Sequence, residues 1–270
     1  MIRLGVIGWP VAHSRSPTIQ NAALQAAGLG DGWRYQLLPV PPALFEETVK
    51  ALPGAGFRGV NVTIPHKAAA LALATSATVR TQAIGAANTL LFGPEGTIHA
   101  DNTDAPAFTN ALSAILPIAG CRAAVLGAGG TARAAVWALL DAGAAEVYVW
   151  NRTRARAQEL CAALGGTPLE LDAVMSSIDV IVNATSIGLQ EGAKLTEFPS
   201  FAQPAELRSY RAVVDFVYTD HETPLLKAAR HAGVPAVDGL ELLVGQGALS
   251  FELFTGRPAP LEAMQSALLA

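Results

Sequence analysis

The 270-residue sequence predicts an α/β protein made of two domains. Short apolar runs alternate with helix-like stretches along nearly the whole chain, a pattern typical of parallel βαβ units. The length suits two domains of about 100–150 residues each, or one large domain. Hydrophobic residues make up 51% of the chain and charged residues 15%, so the chain can bury a large core and is not disordered.

The composition also excludes several classes of protein. The chain has 18 basic and 22 acidic residues, a formal charge of −4, and lacks the basic stripe that nucleic acid or an acidic membrane surface requires. Its apolar runs are too short for a transmembrane span or a secretion signal. The 2 cysteines cannot build a disulfide framework, and neither CxxC nor HExxH marks a metal site. We therefore expect a soluble cytoplasmic enzyme with a small-molecule substrate and no metal, membrane or nucleic-acid partner.

The first predicted domain spans residues 1–103 and alternates strands with helices before a hairpin. Apolar runs predict strands over residues 3–7, 35–40 and 59–64, and helical patterns predict helices over 17–27, 42–52 and 66–73. Two further strand-like runs, 89–92 and 97–100, flank Gly93-Pro94-Glu95-Gly96, which indicates a turn.

The second predicted domain spans residues 104–238 and opens with a linker helix over 104–116, which Pro117 ends. Strands are predicted over residues 123–126, 146–150, 179–183, 212–217 and 235–237, with helices over 131–142, 154–164 and 224–232. A C-terminal segment, 239–270, begins with a long helical pattern over 240–255. The sequence leaves open whether its helices pack back on the first domain.

A glycine-rich turn follows the first strand of the second domain. Gly127-Ala128-Gly129-Gly130-Thr131-Ala132 matches G-x-G-x-x-G/A between a predicted strand and a predicted helix. Gly127 would permit the tight turn, Gly129 would let the backbone approach a pyrophosphate, and Ala132 would keep the helix close to the sheet. The amides of the helix N-terminus would then face the phosphate charge. The motif predicts a Rossmann-type dinucleotide-binding domain; the alternative is a tight strand–helix turn without a ligand.

The end of the next predicted strand favours NADP over NAD. NAD-binding domains usually place Asp or Glu there, whereas this chain reads Asn151-Arg152-Thr153-Arg154, with Arg156 close behind. Guanidinium groups supply charge-assisted donors for a 2′-phosphate, which a carboxylate would repel. Simple solvation of these arginines is the alternative, but cations in the first turn of a helix oppose its dipole, so an anion explains them better. The sequence leaves open which arginine makes the main phosphate contact.

Polar groups after the first strand predict an anion site in the first domain. Ser16, directly before Pro17, is expected to cap the following helix. Capping accounts for Ser16 but not for Ser14, and two hydroxyls at a helix N-terminus suit a small carboxylate.

Three more residues are candidates for chemistry. Lys67 begins a predicted helix, where the dipole disfavours an ammonium, so it is a candidate acid–base group; an exposed, solvated lysine is the alternative. Asp104 is a second candidate, with capping of the following helix as the alternative. Gln246 lies in an apolar run, where a buried amide must find a partner in its own helix or in a ligand.

Taken together, these segments resemble the shikimate dehydrogenase family from about residue 5 to residue 256. The motifs that carry the resemblance are residues 8–17 (GWPVAHSRSP), 61–67 (NVTIPHK), 86–89 (AANT), 101–104 (DNTD), 127–133 (GAGGTAR), 151–153 (NRT), 183–186 (NATS) and 238–240 (DGL), the last leading to Gln246.

The resemblance implies reversible, NADPH-dependent reduction of 3-dehydroshikimate to shikimate, in the chorismate pathway to aromatic amino acids. It implies that Lys67 and Asp104 form the catalytic pair. Residues expected to bind the substrate carboxylate or lie near it are Ser14, Ser16 and Tyr218; those expected to bind its ring hydroxyls are Thr63, Lys67, Asn88, Asp104 and Gln246. Besides the glycine turn and the residues from Asn151 to Arg156, the cofactor is expected to contact Thr185, Val217 and Gly239.

The chain departs from the family pattern at three places. Asp220 and its neighbours replace an Asn-Pro that often follows the tyrosine, Ala105 stands where glycine is common, and Trp9 replaces a smaller polar residue. Two alternative functions remain open: a quinate/shikimate dehydrogenase of broader specificity, and a non-catalytic NADP-binding regulator that kept the fold. The sequence also leaves open whether the protein is a monomer or a homodimer.

Overall fold

The computed structural model describes residues 1–169, 178–190 and 192–269. The chain divides into two compact units, one of residues 1–104 with 243–270 and the other of residues 105–242. Within the described residues, each unit contains one six-stranded sheet with helices packed on it. The predicted α/β fold class is confirmed.

The first unit opens with six strands and four helices. The strands are β1 (Ile2–Gly8), β2 (Trp33–Pro39), β3 (Phe57–Val62), β4 (Ser76–Ala77), β5 (Thr89–Phe92) and β6 (Ile98–Asp101). The helices are α1 (Ser16–Ala26), α2 (Phe45–Ala51), α3 (Lys67–Leu73) and α4 (Val79–Ile84), with short 3-10 turns at Pro42–Leu44 and Pro94–Gly96.

The sheet of the first unit is mixed, in the order β2-β1-β3-β5-β6-β4. The strands β1, β2 and β3 are parallel, as the βαβ pattern predicts, but β5 runs antiparallel to both β3 and β6. Gly59 allows β3 and β5 to approach closely, because a Cβ atom at this position would lie 2.6 Å from the Leu90 carbonyl oxygen. Apolar side chains such as Ile7, Val60 and Phe45 fill the core on this sheet.

The prediction that Ser16 caps the first helix is wrong. The helix begins at Ser16 itself, Arg15 occupies the N-cap position, and the Arg15 side chain makes no capping hydrogen bond. Proline is tolerated in the first turn of a helix because the amides there have no partner within the helix. The helix can therefore begin one residue before Pro17, at Ser16.

The second unit contains a parallel sheet with the order of a dinucleotide-binding fold. Its strands are β7 (Arg122–Leu126), β8 (Glu146–Trp150), β9 (Thr167–Pro168), β10 (Val180–Asn183), β11 (Ala212–Asp215) and β12 (Ala236–Val237). They lie in the order β12-β11-β10-β7-β8-β9, which corresponds to 3-2-1-4-5-6 read from the opposite edge. Leu126, Ile181 and Val213 are among the buried side chains of its core.

The helices of the second unit connect these strands. They are α5 (Asp104–Ile115), which starts at the last residue of the first unit, α6 (Gly130–Asp141), α7 (Arg154–Leu164), α8 (Pro204–Leu207) and α9 (Pro224–Ala232). In the described residues of this unit, α6 directly follows the glycine turn and α7 directly follows the arginine-rich loop.

The chain then returns to the first unit through α10 (Gly239–Thr255) and ends with α11 (Leu261–Leu269). In the first unit, α11 packs against α1, and Gln20 of α1 donates a hydrogen bond of 2.8 Å from Nε2 to the Gly247 carbonyl oxygen of α10. The packing of the C-terminal helices on the first domain, which the sequence left open, is therefore confirmed. Among the described helices, none is both long and apolar enough to cross a membrane.

Candidate active site

Lys67 and Asp104 form a buried ion pair in the first unit. The Lys67 Nζ atom lies 2.5 Å from Asp104 Oδ2, and each residue is only 8% exposed. The other carboxylate oxygen, Oδ1, accepts a hydrogen bond of 2.8 Å from Asn88 Nδ2. The carboxylate is thus held between an ammonium and an amide, while the lysine lies at the first position of α3. Such a pair can hold a proton donor in a defined place beside a bound molecule.

The mixed sheet brings these three residues together. Lys67 follows the end of β3, Asn88 immediately precedes β5, and Asp104 follows the end of β6. Because β5 runs antiparallel to both β3 and β6, the end of β3, the start of β5 and the end of β6 lie at one edge of the sheet. Residues that are far apart in the sequence therefore meet at this edge.

Asn88 is held at both ends of its side-chain amide. Its Oδ1 atom accepts hydrogen bonds from the Thr103 backbone N–H at 2.8 Å and from the Thr89 hydroxyl at 3.1 Å. These donors orient the amide so that Nδ2 faces Asp104, and Nδ2 also lies 3.5 Å from Gln246 Oε1. Gln246 in turn donates from Nε2 to the carbonyl oxygen of Leu243, in its own helix.

A buried polar network lies behind Asn88, and the sequence reasoning did not identify it. Asn61 Nδ2 donates to Ser250 Oγ at 2.8 Å and to Thr89 Oγ1 at 3.1 Å, while its Oδ1 accepts from the Tyr35 hydroxyl at 2.8 Å. The Ser250 hydroxyl also lies 3.1 Å from Thr103 Oγ1. A detectable signal was present, because Asn61 interrupts an apolar strand and Ser250 follows Gln246 by one helical turn.

The two serines form a small hydroxyl pair at the start of α1. Ser14 Oγ accepts a hydrogen bond of 3.3 Å from the Ser16 backbone N–H and donates one of 3.2 Å to Ser16 Oγ. Thr63 follows β3 and packs closely on Gly8, because a Cβ atom on Gly8 would lie only 2.5 Å from the Thr63 methyl group. The half-buried Ser14 and Thr63 and the buried Ser16 thus hold hydroxyls in defined positions at the ends of β1 and β3.

His66, which directly precedes Lys67, has a structural role. Its ring stacks on Phe45 with centroids 4.3 Å apart, and Nε2 lies 2.8 Å from the Val40 carbonyl oxygen. Burial lowers the pKa of this imidazole, with a smaller opposing effect from the hydrogen bond to Val40. The neutral ring therefore serves to pack the start of α3.

In the second unit, the glycine turn contains two glycines that are required for different reasons. Gly127 has φ +114°, and a Cβ atom there would lie 2.7 Å from the Ala184 carbonyl oxygen, so the fold itself requires glycine. Gly129 has φ −86° and ψ −174°, which any residue can adopt, and a Cβ atom there would meet nothing within 4 Å. The open space above Gly129, at the N-terminus of α6, therefore suits a phosphate group.

The remaining residues of the motif fit the same ligand. Ala132 is fully buried, as expected for the residue that sets helix and sheet close together, whereas Ala128 and Thr131 are partly exposed and Gly130 begins α6. The ends of β7 and β8 are paired, Leu126 with Trp150, so the loop that follows β8 starts beside the glycine turn.

The loop after β8 presents a cluster of exposed cations. Arg152, Arg154 and Arg156 are exposed, and the described first turn of α7 contains no acidic residue. Asn151 Nδ2 donates a hydrogen bond of 2.8 Å to the Thr153 carbonyl oxygen, which holds the loop in a tight turn. This arrangement suits a phosphate monoester on a ribose that is bound at the glycine turn.

The other residues expected at the cofactor follow β10 and β11. The Thr185 hydroxyl donates to Asn183 Oδ1 at 2.6 Å and accepts from the Ile187 N–H at 3.0 Å, so it shapes its own turn. Gly239 lies against Val217, because a Cβ atom on Gly239 would be 2.4 Å from the Val217 carbonyl oxygen. Val217, Tyr218 and Gly239 line a cavity of about 490 Å³ in the second unit.

Comparison with known proteins identifies the relatives of this chain. Family models described as the shikimate dehydrogenase substrate binding domain, shikimate / quinate 5-dehydrogenase and the shikimate 5′-dehydrogenase C-terminal domain match residues 6–90, 110–190 and 239–269. A shikimate dehydrogenase (NADP⁺) from Methylobacterium radiotolerans is 45% identical over 268 residues, covering 96% of this chain and 92% of the relative.

Solved structures agree with these matches. A shikimate dehydrogenase from Aquifex aeolicus superposes with a TM-score of 0.90 at 32% identity, covering 100% of this chain and 98% of that one. A Thermus thermophilus shikimate 5-dehydrogenase, solved with NADP(H) and shikimate, superposes with a TM-score of 0.83 at 39% identity, covering 99% and 98% of the two chains.

Proposed function

The chain belongs to the shikimate dehydrogenase family, and on that premise we propose that it catalyses the reversible reduction of 3-dehydroshikimate to shikimate with NADPH. The observation that carries this proposal is the ion pair of Lys67 and Asp104, which is buried, closed at 2.5 Å and held by Asn88. The product feeds the chorismate pathway to aromatic amino acids. Residues 1–103 form the substrate and catalytic domain, to which Asp104 at the start of the linker helix adds the second catalytic residue. The rest of residues 104–238 bind NADP, and residues 239–270 complete the substrate site.

The substrate is bound through its carboxylate and its hydroxyls. Ser14 and Ser16 bind the carboxylate through their hydroxyls, whose oxygens lie 3.2 Å apart at the N-terminal end of α1. On binding, the Ser14 O–H turns from Ser16 to the carboxylate. Tyr218 is the third residue that we assign to the carboxylate. The ring hydroxyls contact Thr63, Lys67, Asn88, Asp104 and Gln246, all of which lie in the first unit.

The residues of the second unit fit NADP. The glycine turn of residues 127–132 holds the pyrophosphate, with the space above Gly129 as the supporting observation. The cluster of Asn151, Arg152, Thr153, Arg154 and Arg156 holds the 2′-phosphate, and Thr185, Val217 and Gly239 hold the nicotinamide end. When bound, NADPH supplies the hydride that reduces the substrate carbonyl carbon.

Lys67 supplies the proton. As the carbonyl carbon accepts the hydride, the carbonyl oxygen becomes an alkoxide, and the Lys67 ammonium donates a proton to that oxygen to give the hydroxyl of shikimate. Asp104 holds the ammonium through its Oδ2 atom, and Asn88 Nδ2 donates a hydrogen bond to Asp104 Oδ1, which holds the carboxylate. The neutral lysine then regains its proton from water. In the oxidative direction the same groups act in reverse, with Lys67 as the base.

The near-ultraviolet absorbance of NADPH provides the test, with shikimate or quinate as substrate and NADP⁺ or NAD⁺ as cofactor. Of the four pairs, we expect rapid turnover only with shikimate and NADP⁺. Comparable rates with quinate or NAD⁺ would show a broader dehydrogenase and would contradict the assignment of the serines or the arginines. Folded protein that binds NADP⁺ but turns over none of the pairs would be a regulator.

The location and oligomeric state follow from the same proposal. Cys121 and Cys161 are free and buried, as is usual in the reducing cytoplasm, where we place the enzyme. One chain supplies every residue assigned to substrate and cofactor, and we propose that the protein is a monomer or a homodimer. Light scattering during size-exclusion chromatography distinguishes these two states.

A further inference from the structure

Asp215 is a fully buried carboxylate with no role in the function proposed above. It is the last residue of β11, next to Asn183, the last residue of β10. Its Oδ1 atom accepts hydrogen bonds from Asn183 Nδ2 at 2.8 Å and from the Val217 N–H at 3.0 Å, and its Oδ2 atom accepts one from the Thr223 hydroxyl at 2.6 Å. The carboxylate therefore joins three segments at the carboxyl edge of the parallel sheet.

The first of these segments carries Thr185. While Asn183 donates to Asp215 through Nδ2, its Oδ1 atom accepts from both the backbone N–H and the hydroxyl of Thr185, at 3.1 and 2.6 Å. Asn183 Nδ2 also donates to the Ile187 carbonyl oxygen at 3.0 Å. Asp215 thus fixes the orientation of the Asn183 side-chain amide. The oxygen of the same amide in turn holds the turn that contains Thr185.

The second and third segments lie along the cavity of about 490 Å³. The hydrogen bond to the Val217 N–H places the strand-to-loop turn that continues into Tyr218, and Gly239 packs against the Val217 carbonyl oxygen. Thr223 is the N-cap of α9, where its hydroxyl accepts from the Leu226 N–H at 3.3 Å. Val217, Tyr218, Thr223 and Gly239 all line this cavity.

A carboxylate is a costly way to join segments in a protein interior. Burial raises the pKa of Asp215 to about 6, against the opposing effect of its hydrogen bonds to Thr223, Val217 and Asn183. Both oxygens of Asp215 accept hydrogen bonds from converging donors, as suits an ionised carboxylate in a fully buried position. A charged acceptor binds its donors more strongly than a neutral one, which suits a site that must hold ligands in place.

We propose that Asp215 is a positioning residue, which sets Thr185, Val217 and Tyr218 in the arrangement that binds NADP and substrate. It acts through Asn183 and through the Val217 backbone and contacts neither ligand. This inference rests on the proposed function for the roles of those three residues. A purely structural role, in which Asp215 only stabilises the second unit, is the alternative to be tested.

The same sheet offers a matched control. Asp179 directly precedes β10, at the amino edge of the sheet, where its Oδ2 atom accepts a hydrogen bond of 2.9 Å from the Arg122 backbone N–H. Its Oδ1 atom lies 3.3 Å from Arg211 Nη1. Asp179 therefore also links neighbouring segments through a carboxylate, but at the edge opposite to the residues assigned to ligands.

The experiment compares Asp215→Ala and Asp215→Asn with Asp179→Ala and Asp179→Asn in the full-length protein. Calorimetry gives the Kd for NADP⁺, steady-state kinetics give KM for shikimate and kcat, and thermal unfolding gives Tm. We expect Asp215→Ala to raise the NADP⁺ Kd and the shikimate KM by about tenfold or more, because small displacements of ligand-holding groups are expensive. Asp215→Asn keeps an acceptor at Oδ1, so its effect should be intermediate, about two- to fivefold.

The control variants should lower Tm while leaving the NADP⁺ Kd and the shikimate KM within about twofold of the parent protein. If Asp215→Ala does not fold, Asp215→Asn decides the question. A variant of Asp215 that loses thermal stability but keeps native Kd and KM would overturn the positioning role. If the parent protein fails to oxidise shikimate while the Asp215 variants still weaken NADP⁺ binding, the proposed substrate is wrong and the positioning of the cofactor residues stands.

Discussion

The two units build their candidate sites in opposite ways. In the first unit, function depends on atoms that are present: Lys67, Asn88 and Asp104 are buried side chains joined by hydrogen bonds. In the second unit, function depends largely on open space, because Gly129 has no side chain to fill the region at the N-terminus of α6. The first region is a side-chain site with fixed chemistry, and the second is a backbone site with a fixed shape.

The difference determines what a substitution should change. Replacing a side chain of the first site removes a group that reacts or holds a proton, so the rate should fall more than ligand binding. Adding a side chain to the second site fills space that the ligand needs, so binding should weaken while the protein remains folded. The predictions below test this contrast in order of expected size.

Replacing the proton donor should give the largest effect. Lys67→Ala should lower kcat by about 10²–10⁴-fold at saturating shikimate and NADP⁺, because it removes general acid–base assistance. The NADP⁺ Kd should remain unchanged. Lys50→Ala is the control, since Lys50 forms an exposed pair with Glu46 at 2.6 Å in the same unit. Near-full turnover by Lys67→Ala would eliminate its catalytic role and with it the contrast between the two sites.

Replacing Gly129 and Gly127 by alanine should separate a loss of ligand binding from a loss of folding stability. Gly129→Ala should weaken NADP⁺ binding by about 5- to 150-fold, the range expected for overpacking a ligand site, with a native Tm. Gly127→Ala should instead cost about 1–3 kcal/mol of folding stability, because alanine disfavours the positive φ and would meet Ala184. Calorimetry and thermal unfolding measure the two effects. Equal losses of stability in both variants would refute the distinction between these glycines.

Removing the cations should show a smaller, charge-dependent effect. The double variant Arg152→Ala/Arg154→Ala should raise the NADP⁺ Kd by about tenfold, a modest loss because these side chains are exposed and screened by solvent. The NAD⁺ Kd should change little, and added salt should reduce the difference between parent and variant. An equal loss of affinity for NAD⁺ and NADP⁺ would contradict the assignment of these arginines to the 2′-phosphate.

The pH dependence of stability should give the smallest effect. Burial, with a smaller contribution from the nearby Asp238 carboxylate, outweighs the hydrogen bonds to Asp215 and raises its pKa from 3.8 in the unfolded chain to about 6. The folded state therefore binds the proton more tightly, so this contribution favours folding at low pH and is lost as pH rises through 6. Relative to Asp215→Asn, the parent protein should gain about 1 kcal/mol in unfolding free energy between about pH 7 and pH 5. Urea unfolding at each pH measures it; a constant difference would contradict the raised pKa.

Much of the fold follows from local sequence patterns. The strands at 89–92 and 146–150 and the helices at 154–164 and 224–232 have the predicted bounds. The sequence patterns do not predict α4, although it carries ordinary end signals, a Thr78 N-cap and Gly85 in the left-handed region, because its six residues show too little periodicity. The two-residue strands β4 and β9 are too short for any alternating pattern.

Only part of the candidate site could be predicted from the sequence. Strand and helix period, the glycine turn and the arginine cluster are local features, so the sequence alone determined the order of most longer elements, the dinucleotide motif and the preference for NADP. The mutual arrangement of Lys67, Asn88 and Asp104 depends instead on β5 running antiparallel between β3 and β6. Ser250 joins the network behind Asn88 because α10 packs on the first unit, and Asp215 gains its partners from a neighbouring strand, a loop and a helix N-cap. Only the tertiary structure decided these contacts, because they join segments whose pairing no local pattern specifies.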